Sequence, residues 1–312
     1  MIRKFSMLIT LLLSTLPCLA QLYHTYPRDV ASKKVIGKYD LSVVYKFSYE
    51  QDTISKVKMF DIEKLEVGNS FSRYFSRDAD IVDSLMYKNR LFPVKNKVGA
   101  DHYEYSMNRQ PYEKERYSDI YMNYPSKGTL LSRVAIVNTE YEYCEPVNAF
   151  VWQYSDSVAN VLGYNCKIAF TSFRGRNYKV YYTEEIPVSY GPWKFYGLPG
   201  LIMKVEEKSD TFIWEAIGVS QKDGDIYIFD PSVGRTMPSV PYMKIKKTTR
   251  AIVQKLEKLE WQDPLYLLQL HGKHIQGYMT QNPHTKEFKM GDIKDINPSG
   301  FMDPYVPPLE LE

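Results

Sequence analysis

The sequence has little cysteine, no strong excess of either charge and no apolar run long enough to cross a membrane. Three cysteines occur in 312 residues, and 40 basic side chains accompany 37 acidic ones. A membrane-spanning helix needs about 20 mostly apolar residues. Nucleic-acid binding usually shows as a basic stripe or a basic domain. The composition therefore argues against a membrane span and against a nucleic-acid partner.

Motifs that carry known catalytic chemistry are also missing. The sequence contains no Gly-x-Ser-x-Gly elbow, no His-Glu-x-x-His pair and no glycine-rich phosphate loop. The histidines His271, His274 and His284 do not fix two imidazoles on one helix face, because Gly272 interrupts the helical pattern. We therefore predict no catalytic residue, no metal site and no cofactor.

Residues 1–20 have the three-part layout of a secretory signal peptide. Arg3 and Lys4 precede an apolar run from Met7 to Leu13, and the small residue Ala20 stands before Gln21. Cleavage there would remove two of the 40 basic side chains and none of the 37 acidic ones, which leaves a net charge near +1. The sequence thus predicts an exported protein, periplasmic or at the cell surface, in which residues 21–312 form a single β-rich domain.

Export also determines whether the cysteines can form a disulfide. Cys18 would leave with the signal peptide, and Cys144 and Cys166 would remain as an even pair in an oxidising compartment. We expect a disulfide between them. It would close a loop of roughly 20 residues and stabilise the fold by about 3 kcal/mol in the chain-entropy treatment. The alternative is two separate buried thiols.

Alternating apolar and polar residues, which have the period of a β-strand, run through most of the chain. Between Tyr39 and Tyr49, one strand face carries Leu41, Val43, Tyr45 and Phe47. Further strands are predicted in 56–75, with a break at Gly68-Asn69, and at 130–144, 152–154, 165–173, 178–183, 201–206, 212–220 and 226–229. Turn residues separate the later segments at the spacing of an antiparallel meander. The sequence therefore predicts a mainly β fold, a β-rich α+β protein with a curved antiparallel sheet.

Helical patterns are fewer and shorter. One spans residues 78–89, a second spans 249–261, and a third, 265–271, follows Asp263 as N-cap and Pro264 as the first helical residue. The apolar stripes of the last two helices consist of Ile252, Leu256, Leu259, Leu265 and Leu268. These stripes are too small to pair only with each other, and helices this short are marginal alone. We therefore expect both helices to pack on the sheet.

The backbone is most tightly specified in one stretch of twelve residues: Gly191, Pro192, Trp193, Lys194, Phe195, Tyr196, Gly197, Leu198, Pro199, Gly200, Leu201 and Ile202. Residues 198–201 predict a type II turn, because proline and glycine occupy its two central positions; such a turn needs φ above zero at Gly200. The aromatic side chains before the turn form either a ligand platform or the plug of a strand corner. We favour the plug.

Within this stretch, the segment Gly-Pro-Trp-Lys-Phe followed by Gly-Leu-Pro-Gly-Leu-Ile resembles the motif of the GLPGLI family of Bacteroidetes envelope proteins. Residues 162–170, 175–187 and 308–312 are also similar to the family pattern, so the resemblance is strongest over 150–312. It implies an exported β-rich fold. The family has no established biochemical activity, and the resemblance supplies no catalytic residues.

Three hypotheses for function follow. The first is a non-enzymatic binding, carrier or accessory module that holds an apolar ligand or an envelope protein partner, with a role alongside TonB-dependent outer-membrane transport implied by the resemblance. The second is an enzyme, such as a hydrolase, with a site assembled from scattered residues. The third is a module that only binds proteins. The 27 tyrosines would suit a carbohydrate or lipid ligand, but tyrosine is also an ordinary strand residue.

Overall fold

The computed structural model describes residues 28, 30–50, 58–89, 94–95, 101–102, 118–136, 139–147, 149–230, 244–262, 264–271, 277–281, 288–292 and 310. Strands far outnumber helices among these residues, so the fold is mainly β, as predicted. The predicted signal peptide at 1–20 lies outside the described residues, as do Asp263, Gly272, His274 and His284.

The described part of the chain contains eighteen strands and three α-helices. The strands are β1 Lys33–Tyr39, β2 Leu41–Glu50, β3 Lys58–Val67, β4 Ser72–Ser76, β5 Val94–Lys95, β6 Asp101–His102, β7 Ser118–Met122, β8 Thr129–Ile136, β9 Thr139–Pro146, β10 Gln153–Val161, β11 Tyr164–Phe173, β12 Arg176–Thr183, β13 Leu201–Glu207, β14 Phe212–Ser220, β15 Gly224–Phe229, β16 Lys244–Lys247, β17 Gly277–Gln281 and β18 Phe288–Asp292. The helices are α1 Arg77–Asn89, α2 Arg250–Gln262 and α3 Pro264–Leu270, and a single 3-10 turn, Val30–Ser32, precedes β1.

Twelve of these strands form one sheet, in the order β10-β11-β12-β13-β14-β2-β3-β4-β7-β8-β9-β16. Neighbours pair antiparallel except β16, which runs parallel to β9. The predicted meander is confirmed from β10 to β14, but β15 leaves it to pair with β1 in a separate two-stranded ribbon. The chain instead continues the sheet by pairing β14 with β2. This pairing joins distant segments, and no local pattern indicates it.

One face of the sheet, the inner face, encloses the main core. Leu41, Val43, Tyr45 and Phe47 are all buried there, as the alternation predicts. The same core takes residues from β7 and β8 near one end of the sheet and from β10 to β13 at the other, so the sheet must curve around it. Burial of this apolar surface is the main source of stability.

The opposite, outer face of β4, β7 and β8, and of residues 64–67 of β3, is covered as well. The ribbon of β1 and β15 lies over it, and Ile228 packs there against Tyr121 and Leu131. Helix α1 contacts β3 on the same side of the molecule. Consequently this part of the antiparallel sheet has no solvated face, which is unusual for strands that alternate between apolar and charged residues.

The two helices near the end of the described chain pack on the inner face, as predicted. Val253, Leu256 and Leu259 of α2 and Leu267 of α3 form a small core whose sheet residues are Val134, Ile136, Tyr141 and Tyr143 of β8 and β9. Ile252 is the exception in the predicted stripe, because its side chain is 46% exposed. The side chains of Leu265 and Leu268 lie outside the described set.

The predicted type II turn at residues 198–201 is wrong. Gly200 does not have a positive φ; in this stretch φ is positive at Trp193, at 51°, and at Gly197, at 99°. Glycine is required at position 200 for a different reason. A Cβ there would lie 2.1 Å from the carbonyl oxygen of Thr183, because the chain passes directly against the end of β12. Glycine is therefore needed at position 200 because the backbone of Thr183 approaches it closely, and not because the turn is left-handed.

The expected disulfide is also wrong, since Cys144 and Cys166 are both free. Cys144 lies on β9 between Tyr143 and Glu145, which both point to the inner side and contact Lys194. Alternation directs Cys144 to the opposite side, where it is exposed. Cys166 is buried in the inner core on β11, near the other end of the sheet order. The two side chains thus point into different surroundings and cannot meet the geometry of a disulfide.

We predict that Gly200→Ala destabilises the fold by about 2–3 kcal/mol, because backbone must move to admit the methyl group. Gly218→Ala is the matched control: its added Cβ would find no atom closer than 4.0 Å, and its φ is not positive. The control should change stability by less than about 0.5 kcal/mol. Urea unfolding of both variants measures the difference, and equal midpoints would contradict the close-approach account.

Candidate functional site

The buried outer face carries a continuous set of charged residues, which we call the charge layer. It consists of Glu66 on β3, Arg73 on β4, Asp119 on β7, Arg133 on β8 and Glu140 on β9, joined from outside the sheet by Arg28 and by Asp83 of α1. Strand register places them side by side, since Glu66 pairs with Arg73 and Asp119 pairs with Arg133. All seven side chains are buried.

Ion pairs connect most of the charge layer. The Nη2 of Arg73 lies 2.9 Å from Oδ2 of Asp119, and Nη1 of Arg28 lies 3.0 Å from its Oδ1. Arg28 also donates to Asp83 through its Nε, at 2.7 Å, and through its backbone N–H. One carboxylate between two arginines satisfies the requirement that a buried charge be compensated by hydrogen-bonded partners.

The ribbon of β1 and β15 completes these contacts. Tyr121 donates its hydroxyl proton to Asp119 and lies equally close to the carbonyl of Tyr227, at 3.1 Å in each case. The guanidinium of Arg133 donates to the carbonyl of Phe229 at 2.5 Å. Arg73 stacks on the ring of Tyr227, with its Cζ 4.1 Å from the ring centre. The ribbon is therefore fastened to the sheet by polar contacts as well as by apolar packing.

The pKa values of two carboxyl groups in this layer are shifted in opposite directions. Burial alone would raise the pKa of Asp119, but Arg73 and Arg28 outweigh it and hold that pKa well below its usual value. Glu140 is stabilised less by its neighbours Arg133 and Arg28, so burial raises its pKa to about 7. Displaced pKa values in one cluster are a feature of functional sites, although structural ion-pair networks show them too.

A pocket of about 540 Å³, which we call the polar pocket after the charged side chains in its lining, opens at the edge of the charge layer. It lies where the main sheet, the ribbon and α1 meet, and its lining includes Tyr39, Lys64, Glu66, Asp80, Asp225 and Tyr227. Its volume falls within the range of roughly 300–1,000 Å³ that small-molecule sites occupy. Its lining combines charged and hydroxyl-bearing side chains with the apolar residues Val44, Phe75 and Ile81, whereas the inner core is apolar and filled by the protein's own side chains.

Lys64 is the central donor of this pocket. Its Nζ lies 2.9 Å from Oε1 of Glu66 and 3.2 Å from the hydroxyl of Tyr39. The second oxygen of Glu66, Oε2, has no hydrogen-bond partner, and Nη1 of Arg73 behind it is 3.8 Å away, too far for a hydrogen bond. Burial raises the pKa of Glu66, against the effect of Arg73 and Lys64. Glu66 thus holds the Lys64 ammonium in place from beneath the pocket.

Asp80 supplies an acceptor on the opposite wall. It receives hydrogen bonds from Lys33, at 3.1 Å, and from the hydroxyl of Tyr227. Asp225 stands exposed at the rim. The pocket therefore presents both donors and acceptors, and its formal charges nearly cancel. Such a lining suits groups that both donate and accept hydrogen bonds, as hydroxyl groups do.

The predicted motif residues lie elsewhere, in and under the inner core. Trp193 and Phe195 are buried and pack on Trp214, with ring centres 5.9 and 5.8 Å apart, so both belong to the core rather than to an exposed platform. Leu198, Leu201 and Ile202 are fully buried. Gly191 packs directly on Ile202, and Pro192 and Pro199 each lie in a bend of the backbone. Lys194 is buried too, in ion pairs with Glu145 and Glu310.

His271 has a structural position at the end of α3. Its Nδ1 donates to the carbonyl of Leu267 at 2.8 Å, which leaves Nε2 to accept from the hydroxyl of Tyr141 at 2.6 Å. Within the part of the chain that the structure describes, no group of three or more His, Cys, Asp or Glu side chains could hold a metal ion. Among the described helices, none is long and apolar enough to cross a membrane.

Comparison with known proteins covers only part of the chain. Residues 171–204, which include β12 and the motif, match the model of a family described as a protein of unknown function (Porph_ging). No curated protein matches the chain. Two structures of PNGF-II, in space groups P21 and C2, are 15% and 14% identical to it, each with a TM-score of 0.42. The matches cover 70% of this chain but only 33% and 32% of theirs, so the chain spans about a third of their length.

We predict that Glu140→Gln changes how stability depends on pH. The folded pKa of about 7 exceeds the ordinary value of 4.5, so between these pH values the folded state keeps a proton that the unfolded state has released. Stability is then lost as pH rises through this window. Removing the carboxyl should cancel this loss, of order 1–3 kcal/mol. Urea unfolding at pH 5 and pH 7 measures it.

The control is Asp156→Asn, which removes an exposed carboxylate on β10. It should leave the difference in unfolding free energy between pH 5 and pH 7 as in the unmodified protein. The account is contradicted if the unfolding free energy of Glu140→Gln depends on pH in the same way as that of the unmodified protein.

Proposed function

We propose that this chain is an exported, non-enzymatic binding module of the GLPGLI family, and that it holds a small, neutral, hydroxyl-rich ligand in the polar pocket. The observation that carries the proposal is the pocket itself: two cations, three carboxylates and two tyrosines line one open volume. A few polar groups that line a pocket of this size are a usual basis for assigning a binding site.

The charges of the lining favour a neutral ligand. Lys64 and Arg77 contribute two positive charges, and Glu66, Asp80 and Asp225 contribute three negative ones. A strongly charged ligand of either sign would meet repulsion from one of these sets. A hydroxyl group can donate to Asp80 and accept from Lys64 without a change in charge. This pairing supports a polyol or sugar over the apolar ligand that the sequence suggested.

Preorganisation also supports binding in this pocket. Lys64 is held by Glu66 and Tyr39, and Asp80 by Lys33 and Tyr227, so the groups that a ligand meets are already fixed in place. Fixing the groups before binding reduces the entropy lost when the ligand binds. The buried charge layer beneath them gives this rigidity.

Export and an accessory role alongside TonB-dependent transport stay predictions from the signal-peptide layout and the family resemblance. The match at residues 171–204 to a family of unknown function is consistent with a Bacteroidetes-type family. The hydrolase alternative differs in one measurable respect, since an enzyme would change the ligand that it binds, whereas a binding module would return it intact.

We expect thermal-shift and calorimetric titration with a panel of neutral monosaccharides, disaccharides and polyols to yield at least one ligand. Asp225→Trp, at the exposed rim, should block its binding by filling the entrance. Lys64→Met should weaken binding by about tenfold or more, since it removes the central donor. Both effects are read as the change in dissociation constant.

Asp223→Trp and Lys222→Met are the matched controls, because both residues are exposed in the turn just before β15 and do not line the pocket. They should bind as the unmodified chain does. Ligands that bind equally well to Asp225→Trp would show that the site lies elsewhere. Conversion of the ligand, seen by mass spectrometry, would favour the hydrolase.

A further inference from the structure

The charge layer contains two oppositely charged groups that face each other without forming a hydrogen bond. Oε2 of Glu66 lies 3.8 Å from Nη1 of Arg73, which is too far for such a bond. Both atoms are buried and neither has a hydrogen-bond partner, and the same holds for Nε of the guanidinium. Most buried polar groups in proteins are paired, so an open acceptor beside two open donors is an exception with a physical cause.

Strand register makes Arg73 a natural partner of Glu66. The two residues are paired directly across β3 and β4, and side chains opposite each other in antiparallel strands are close enough to interact. A shift of the carboxylate by about 1 Å would bring Oε2 to the length of a charge-assisted hydrogen bond. Solvent does not reach either atom, so a water from outside cannot take the place of this bond.

Arg73 itself is held in place by its other neighbours. Its Nη2 donates to Asp119 at 2.9 Å, and its Cζ lies 3.8 Å from the ring centre of Phe75 and 4.1 Å from that of Tyr227. Phe75 and Tyr227 both line the polar pocket, so Arg73 lies behind the pocket wall. The carboxylate of Glu66 is therefore the part that is free to move.

Lys64 is what keeps this carboxylate from Arg73. Its Nζ lies 2.9 Å from Oε1 of Glu66 and 3.2 Å from the hydroxyl of Tyr39. Burial raises the pKa of Glu66 although Lys64 and Arg73 both act against it, so the carboxylate is incompletely compensated where it lies. The side chain of Lys64 is 22% exposed and lines the pocket, so a ligand can reach it directly.

We propose that Glu66 exchanges partners when the polar pocket binds its ligand, leaving Lys64 for Arg73. A ligand oxygen accepts a hydrogen bond from Lys64, which stays attached to Tyr39, and Glu66 turns to the open donors of Arg73. The carboxylate keeps a cationic partner throughout, as a buried charge requires. One hydrogen bond is lost and two are formed, so the ligand favours the exchanged state. This step rests on the proposed function, since that function supplies the ligand.

The exchange also defines what the ligand must present and what its binding does. Once Glu66 has turned away, the ammonium of Lys64 faces the pocket, and an ammonium can only donate. The ligand must therefore place an acceptor oxygen there, from a hydroxyl or a carbonyl group. Because Arg73 also holds Asp119 and stacks on Tyr227 of the ribbon, pocket occupancy and ribbon docking should stabilise each other.

The exchange is tested without a ligand by the full chain with Lys64→Met, which nearly keeps the length of the side chain but removes its donors. In the crystal structure of this variant, an oxygen of Glu66 should lie within about 2.7–3.2 Å of Nη1 or Nε of Arg73. Lys64→Val, which suits a strand, serves as a second variant where the first does not fold. Tyr39→Phe is the control, because it keeps the ammonium and should leave Glu66 on Lys64.

The ligand step is tested on crystals of the unmodified chain soaked in glycerol, a small neutral polyol. A glycerol oxygen should lie within about 3.2 Å of Nζ of Lys64, and Glu66 should then contact Arg73. Crystals without glycerol should keep the separation of 3.8 Å between Oε2 and Nη1.

Two results would overturn the proposal. One is a Lys64→Met or Lys64→Val structure in which Glu66 stays beyond hydrogen-bond distance of Arg73, and the other is glycerol bound to Lys64 with Glu66 unmoved. A pocket that takes up neither glycerol nor any sugar of the panel would contradict the proposed function instead. The structures of the two Lys64 variants would still decide whether Glu66 can change partners.

Discussion

The ion pair between Arg73 and Asp119 lies at the centre of the outer face, and the arrangement around it follows from the need to compensate charges that are removed from water. Arg73 is fully buried and Asp119 nearly so. Each would be strongly destabilising alone. Arg28 from outside the sheet and Tyr121 on the neighbouring position of β7 complete the coordination of Asp119. Beneath the ribbon of β1 and β15, Nε and Nη1 of Arg73 have no hydrogen-bond partner, and the guanidinium stacks on the ring of Tyr227 from the ribbon.

The position of the polar pocket is a consequence of the same layer. At its edge, Glu66 receives one good hydrogen bond from Lys64 and lies 3.8 Å from Arg73, so pairing is weaker there than at the centre. The packing between sheet, ribbon and helix opens at this point. A polar opening on the outer side and a filled apolar core on the inner side together explain why we place the ligand outside the curve of the sheet.

Local pattern predicted those features of the fold that depend on local physics. The alternation in β2 and the helical pattern of α3 follow from period and residue type, so their bounds agree with the structure to within a few residues. The pairing of β14 with β2 and the contact of Glu310 with Lys194 join distant segments, and period alone does not predict such contacts. Gly200 was misinterpreted because a glycine after proline suggests a turn, whereas close approach of a distant carbonyl leaves no local mark.

The candidate site was missed for a related reason. Lys64 and Glu66 alternate with Leu65 and Val67, which is the pattern of a strand with one solvated face. Nothing in that pattern shows that a second layer covers the charged side. The available signal was the accumulation of opposite charges on the outward positions of β3, β4, β7 and β8, since a solvated face has no need to pair them in register.

A double-mutant cycle of Arg73→Met and Asp119→Asn, measured as the free energy of unfolding in urea, tests the buried charge layer most directly. We predict that Asp119→Asn alone costs about 3–5 kcal/mol, because two buried arginines lose their shared partner. The double variant should be more stable than the sum of the single effects implies, by about 2 kcal/mol or more. Small, additive effects of the two substitutions would mean that these charges are hydrated, and would contradict the account.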